Sequence, residues 1–191
     1  MIRADYKDKD RIVNILASSF DDNKSVNYII KQDKKRMDRI KNLMKYSFDM
    51  CYWFGDVFLS DDKKSCALIL LPDKKKTTLK SILSDIKLII SSMGLSNIKK
   101  AMDREAQIKK LHQKGLIYYL WFIGVDPNEQ NKGIGSALLC EIIKEGVSKQ
   151  RPICLETSTI KNIPWYQKFG FAIYNNLNLG YELFFLRRES S

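Results

Sequence analysis

Tyr118–Ile143 reads YYLWFIGVDPNEQNKGIGSALLCEII, and the fold turns on how this stretch is parsed. Its first eight residues are apolar, aromatic or β-branched, the composition of a buried strand. Asp126-Pro127 ends that strand, because proline has no N–H to give to a ladder. A polar, glycine-bearing loop follows, Gln130 to Ala137. Beyond it Leu138, Leu139, Ile142 and Ile143 recur at helical spacing, with Glu141, Lys144 and Glu145 between them. The order is strand, tight loop, helix.

That order suits an anion. The first N–H groups of a helix have no intrahelical partner, and the helix dipole adds about half a positive charge there. Gly133 and Gly135 lack Cβ, so a phosphate can approach the backbone. The dipole alone contributes only about 0.3–2 kcal/mol, so several aligned N–H donors are needed, and the loop supplies them. A P-loop would require a lysine and a hydroxyl residue after the last glycine, and a dinucleotide fingerprint would require glycine at 138, where Leu138 stands. The pattern present is Gln130-x-x-Gly133-x-Gly135 after a strand ending Val125-Asp126-Pro127. Downstream, residues 153–157 read as a second short strand, followed by Asn162 and by Tyr166-Gln167-Lys168-Phe169-Gly170-Phe171. Gly170 suits the end of a short helix and Phe171 the start of a strand.

The two motifs, in this order and on these elements, resemble those of the GNAT superfamily of N-acetyltransferases. The resemblance covers residues 117–188 closely and the first half in outline. It implies a mixed α/β fold: a mostly antiparallel, twisted sheet of about six to seven strands, flanked by helices and splayed between its two central strands. It implies acetyl-CoA as acyl-donor substrate, with the pyrophosphate on the N–H groups of Gln130, Asn131, Lys132, Gly133, Ile134, Gly135, Ser136 and Ala137. Pantetheine would lie in the splay against the backbone of Ile123, Gly124 and Val125. Asn162 would stand near the same ligand, with a helix cap as its alternative role. Tyr166 matches the tyrosine that serves in many members as general acid to the departing thiolate, with packing beside Trp165 and Phe169 as its alternative role.

The general base is not given by the resemblance. Many members carry a glutamate on the strand before the loop, and Tyr118–Val125 has none. An alkylammonium with a pKa near 10.4 costs about 4.6 kcal/mol to neutralise at pH 7, so a carboxylate or a water path is expected. Glu156 is the candidate, with an exposed or structural carboxylate as the alternative. Asp21 and Asp22 either attract a cationic amine or form a solvated turn. His112 reads as a surface helix residue.

Composition sets the outer limits. The chain has 191 residues, enough for one domain with its own core. We assign residues 1–191 to one domain, with the acyl-CoA-binding core at about 117–175 and a helical insertion at about 77–114. Apolar runs long enough to span a bilayer are lacking, and the charged start does not read as a signal peptide. No membrane partner is expected. Cys51, Cys66, Cys140 and Cys154 form no C-x-x-C pair and sit in apolar contexts, which reads as buried reduced thiols in a cytoplasmic protein. One histidine and no ligand spacing argue against a metal site. The net charge of +11 comes from scattered lysines without interleaved aromatics, so it reads as a solvated surface rather than a nucleic-acid platform.

In chain order, Ile2–Ala4 reads as a strand and residues 8–20 as a helix striped by Ile12, Ile15, Leu16 and Phe20, with Asp8 as N-cap. A short helix near Val26–Lys31 and a longer one over 34–54 follow. A hairpin comes next, Val57–Ser60 and Cys66–Leu71, turning at Asp61–Lys64. Residues 77–114 read as two helices broken at Gly94-Leu95-Ser96, with Ser96 capping the second. Phe171–Leu177 and Tyr181–Leu186 close the chain as a strand pair.

The expectation is an N-acetyltransferase that moves an acetyl group to a primary amine by direct attack in a ternary complex. A small-molecule acceptor is expected, with a protein acceptor as the alternative. A non-catalytic acyl-CoA-binding or regulatory module is the rival from another class. Homodimers are common in the family, and the sequence does not decide the matter here.

Overall fold

The computed structural model describes residues 1–93 and 97–190. The expected break at Gly94-Leu95-Ser96, with its Ser96 cap, lies outside the described residues. The elements are β1 (Ile2–Arg3), α1 (Lys9–Ser19), α2 (Lys24–Ile29), α3 (Arg36–Phe54), β2 (Gly55–Leu59) and β3 (Ser65–Leu70). Then come α4 (Leu79–Leu88), α5 (Ile98–Leu111), β4 (Tyr118–Val125), α6 (Ile134–Ser148), β5 (Ile153–Thr157), α7 (Ile163–Lys168), β6 (Ala172–Asn178) and β7 (Glu182–Arg188).

The strands form one seven-stranded sheet in the order β1-β2-β3-β4-β5-β7-β6. Every neighbouring pair is antiparallel except β4–β5. That parallel pair is short: Tyr118 faces Ile153, Tyr119 faces Cys154, and the ladder stops. From Leu120 onward the β5 side of β4 has no strand beside it among the described residues, which is the splay that the resemblance implies. A bulge reinforces it. Leu68 pairs with Phe122 and Ile69 with Leu120, so Trp121 is the extra residue. The bulge turns both Trp121 and Phe122 toward one face of the sheet, where they join the same cluster.

Each face of the sheet has its own core. Ile12 and Leu16 of α1, Ile40, Met44 and Phe48 of α3, and Leu68 of β3 pack on one side, all 0% exposed. Leu138, Leu139 and Ile142 of α6 pack on the other with Tyr118, Leu120, Leu155 and Tyr166. Burying each large aliphatic side chain contributes roughly 1.5–3 kcal/mol, so the apolar stripe seen in α1 suffices to fix it on the sheet. β3 lies between the two cores and is buried along its whole length. Its sequence, SCALIL, accordingly lacks the alternation of a half-exposed strand.

The insertion forms α4, a π-helical turn at Ile89–Met93, and α5. α4 turns Leu79 and Leu83 outward and buries Ser81 and Leu88, and Ile90 of the π-helical turn is also exposed. α5 buries Ile108 against Leu183 and Phe185 of β7. Its Arg104 bonds to Ser25 Oγ at 2.5 Å and Tyr181 Oη at 3.2 Å, which ties the insertion to α2 and to the start of β7.

Three local expectations are corrected. Asp8 precedes α1 but makes no side-chain cap to it; instead Asp5 and Asp8 form a reciprocal capping box around a 3-10 turn at Tyr6–Asp8. That turn satisfies the first donors before α1 begins. Cys140 is exposed, because it falls on the outer side of α6, while Cys51, Cys66 and Cys154 are buried. Burial pushes the Cys51 and Cys66 thiols up, which keeps them unreactive. His112 is not a free surface residue, as described below.

Candidate active site

The loop between β4 and α6 is built to present donors. Asn131 and Gly133 both adopt left-handed backbone, at φ 63° and 80°. Glycine takes this conformation without cost, and asparagine tolerates it better than most residues. Alternating handedness curls successive N–H groups toward one point. The first helical bond of α6 runs from Ala137 N to Gly133 O at 3.0 Å. Among the described residues, the N–H groups of Asn131 through Ser136 find no acceptor within the protein. At Gly135 an added Cβ would come within 3.1 Å of Val125 Cγ2, so this glycine also lets α6 sit close to β4.

The side chains of the loop point elsewhere. Lys132 pairs with Glu129 at 2.9 Å, and Lys64 reaches the same carboxylate at 3.1 Å. Gln130 is exposed, with its amide 3.4 Å from Val125 O. The cradle is therefore made of backbone. Ser136 Oγ accepts from Trp165 Nε1 at 2.9 Å, which joins the first turn of α6 to α7.

Gly124 is a point of close approach. An added Cβ would lie 2.9 Å from Leu16 Cδ2 and 3.1 Å from Ser19 Oγ, so α1 crosses β4 where the side chain is missing. Ser19 Oγ also lies 2.7 Å from Val125 O. Ile123, Gly124 and Val125 pair with Ala67, Cys66 and Ser65 of β3, and their other edge faces the splay.

Tyr166 sits on the α6–α7 side, 6% exposed, against Trp165 and Phe171 at centroid distances of 4.7 and 5.6 Å. Burial pushes its phenol upward, so it stays protonated at neutral pH. Asn162 is the N-cap residue of α7 but makes no side-chain cap bond.

Glu156 lies on the other face. It follows Cys154 by two residues on β5, and Cys154 belongs to the α1–α3 core. Both its carboxylate oxygens are taken. Tyr119 Oη donates to Oε2, and His112 Nε2 stands 2.6 Å from Oε1. The carboxylate is only 10% exposed and the imidazole 26%. His112 was missed as a site residue because it lies 44 positions from its partner and carries no local motif. Asp21 is paired with Arg36, so it is not free to hold an amine.

Residues 99–173 match the family model described as an acetyltransferase (GNAT) domain. The fold recurs in solved structures at low identity. A structure described as histone acetyltransferase HPA2 and related acetyltransferase, from Corynebacterium glutamicum, aligns at TM-score 0.69 and 16% identity, covering 98% of this chain and 94% of that one. The C-terminal condensation domain of Ebony, solved with beta-alanyl-dopamine, aligns at TM-score 0.72 and 10% identity, covering 98% and 97%. An N-acetyltransferase from Staphylococcus aureus aligns at 0.56 and 17%, covering 97% of each. The chain shares the fold of these solved structures, and residues 99–173 carry its similarity to a GNAT acetyltransferase domain. Among the described residues, no helix is long and apolar enough to cross a membrane.

Proposed function

We propose that this protein is a GNAT-type acetyltransferase that uses acetyl-CoA and transfers its acetyl group to the primary amine of a small molecule. The observation that carries the reading is the run of unpaired N–H groups from Asn131 to Ser136 at the mouth of α6. Unpaired donors at the mouth of a helix suit the acceptor-rich oxygens of a diphosphate. The open edge of β4 gives the amides of a pantetheine arm a strand to pair with. Cys51, Cys66 and Cys154 are buried as free thiols, so transfer is read as direct attack by the amine rather than through an enzyme thioester. Unbridged thiols also favour the cytoplasm.

The two faces of the splay divide the work. Trp165 and Tyr166 flank the cradle from the α7 side, and the Tyr166 hydroxyl is the acid that meets the leaving sulfur. A buried phenol is a weaker acid than a free one, so its proton moves only once charge has built on the sulfur. The opposite face offers Tyr119 and Trp121, stacked at 29° with centroids 6.5 Å apart, beside the Glu156 carboxylate. An aromatic wall with one carboxylate suits a compact organic amine. The fold alone does not choose the acceptor, since it hosts many.

Calorimetry with acetyl-CoA on the pure protein tests the donor; heat with micromolar to millimolar affinity is expected, and none at millimolar ligand removes the reading. Thiol release with a panel of primary amines separates an enzyme from a non-catalytic binder. Tyr166→Phe should lower kcat by about 10²-fold or more, with acetyl-CoA affinity within twofold. Equal turnover in the variant would remove the acid role.

A further inference from the structure

We infer that His112, held by Glu156, is the proton acceptor for the incoming amine, so that the helical insertion completes the acceptor side of the site. This rests on the acetyl-transfer reading above and assigns the base which that reading lacks.

Position comes first. The β4–β5 ladder ends at Tyr119 and Cys154. Glu156 stands two residues further along β5, at the edge of the opening. It lies on the face opposite Tyr166, whose cluster holds Leu155. An amine attacking a thioester from one side, with the acid on the other, meets this face.

Access comes second. Glu156 cannot itself receive the proton readily, because Tyr119 and His112 occupy its two oxygens. His112 covers it and is the more exposed of the two. With Nε2–H donating to Glu156, the lone pair of Nδ1 is left free; among the described residues Nδ1 has no hydrogen-bond partner. A base oriented by a carboxylate through its far nitrogen is the arrangement that proton transfer needs.

Rigidity comes third. His112 follows α5 directly, and its ring packs on Tyr119 and Phe185 at centroid distances of 5.3 and 6.2 Å. Gln113 Oε1 accepts from Arg187 at 2.7 Å, which fixes the next residue to β7. The charged and titratable groups that face the ring are Glu156 on β5, Glu105 on α5 and Tyr119 on β4; Arg104 on α5 acts on Tyr119, and Arg187 on β7 acts on Tyr174 of β6, which also feels Glu156. Burial lowers the imidazole's pKa, but the hydrogen bond and charge of Glu156, with Glu105, outweigh it and leave the value raised. A raised value makes His112 a better match to an alkylammonium than a free imidazole.

The proton balance closes. The ammonium gives one proton to Nδ1. The neutral nitrogen forms its bond to the thioester carbonyl carbon, and the carbon–sulfur bond breaks. Tyr166 protonates the departing thiolate. The nitrogen's second surplus proton then returns to the Tyr166 oxygen through solvent, and His112 sheds its own to bulk water.

His112 is the one histidine in the chain, so its resonance needs no assignment. Full-length protein labelled with ¹³C-histidine is titrated with pH, alone and saturated with acetyl-CoA, and again as Glu156→Gln. A midpoint above about 6.5, lowered by Glu156→Gln and moved by acetyl-CoA, is the expected result. His112→Gln should lose about 10²-fold in kcat with the amine panel and lose the acid limb of the kcat/KM profile, with KM for acetyl-CoA within twofold. The proposal is overturned if acetyl-CoA binds by calorimetry while the histidine signal keeps its shift and midpoint. It is overturned equally if His112→Gln keeps the wild-type pH profile. An absence of calorimetric binding removes the donor reading, and this proposal with it.

Discussion

Trp165 Nε1 donates to Ser136 Oγ at 2.9 Å, and this bond fastens α7 to the first turn of α6. The residue that makes it is the neighbour of Tyr166. The glycine loop at the mouth of α6 and Tyr166, 30 positions on from Ser136, are thus joined through one contact. Trp165→Phe keeps most of the aromatic packing and loses the bond. A net hydrogen bond contributes about 0.5–1.5 kcal/mol, so acetyl-CoA binding should weaken by about 2- to 10-fold by calorimetry. An unchanged Kd would show that the two motifs hold their places independently.

Gly133 has φ 80°, and no atom lies within 4 Å of where a Cβ would be. Gly133→Ala therefore meets backbone strain and no clash. Left-handed backbone costs a non-glycine residue about 1–2 kcal/mol, so Tm should fall by about 2–8 °C in a scanning calorimeter. Gly124→Ala should fall further, because its Cβ would meet Leu16 at 2.9 Å in a packed core. The reverse order would contradict the geometry of both sites.

Asp56 is 4% exposed and accepts from Tyr118 Oη at 3.0 Å and from Arg3, with Lys149 Nζ at 3.8 Å. Asp56→Ala strands the buried Tyr118 hydroxyl and removes the counter-charge of Arg3. A loss of about 2–4 kcal/mol is expected from urea unfolding. Asp56→Asn, which keeps an acceptor for the hydroxyl, should lose less.

The His112–Glu156 pair also links stability to pH. The imidazole's pKa is raised on folding, against the lowering effect of burial, by its bond to Glu156. A raised value means the folded state binds the proton more tightly. The contribution is therefore full below the unfolded value of about 6.5 and is lost as pH rises through the folded value. The urea midpoint of the wild type should exceed that of His112→Gln most at about pH 5.5, and the gap should narrow by about pH 8.5. A gap that widens with pH would mean the pair does not favour the charged imidazole.

Strands and the cradle were legible because their signals are local. A continuous apolar run, proline and glycine mark β4 and its loop, and Tyr118–Val125 and residues 153–157 have the bounds that the sequence suggests. Gly124 was readable as a special position, but not which neighbour needed the space; that is α1, over 100 residues earlier. His112 was misread for the same reason. Its sequence surroundings are lysine and glutamine, and only the docking of α5 on β7 brings it to Glu156. Cys140 misled in the other direction, since a thiol among leucines still falls on the outer side of α6.

The sequence by itself determined the splayed sheet's central strand, the glycine loop and the helix that follows, because hydrophobic period and backbone freedom act over a few residues. Only the tertiary structure decided which side chains face the opening. Whether a carboxylate there is free, covered or paired depends on groups that arrive from distant segments. A charge in a low-dielectric place is governed by its neighbours in space rather than in sequence.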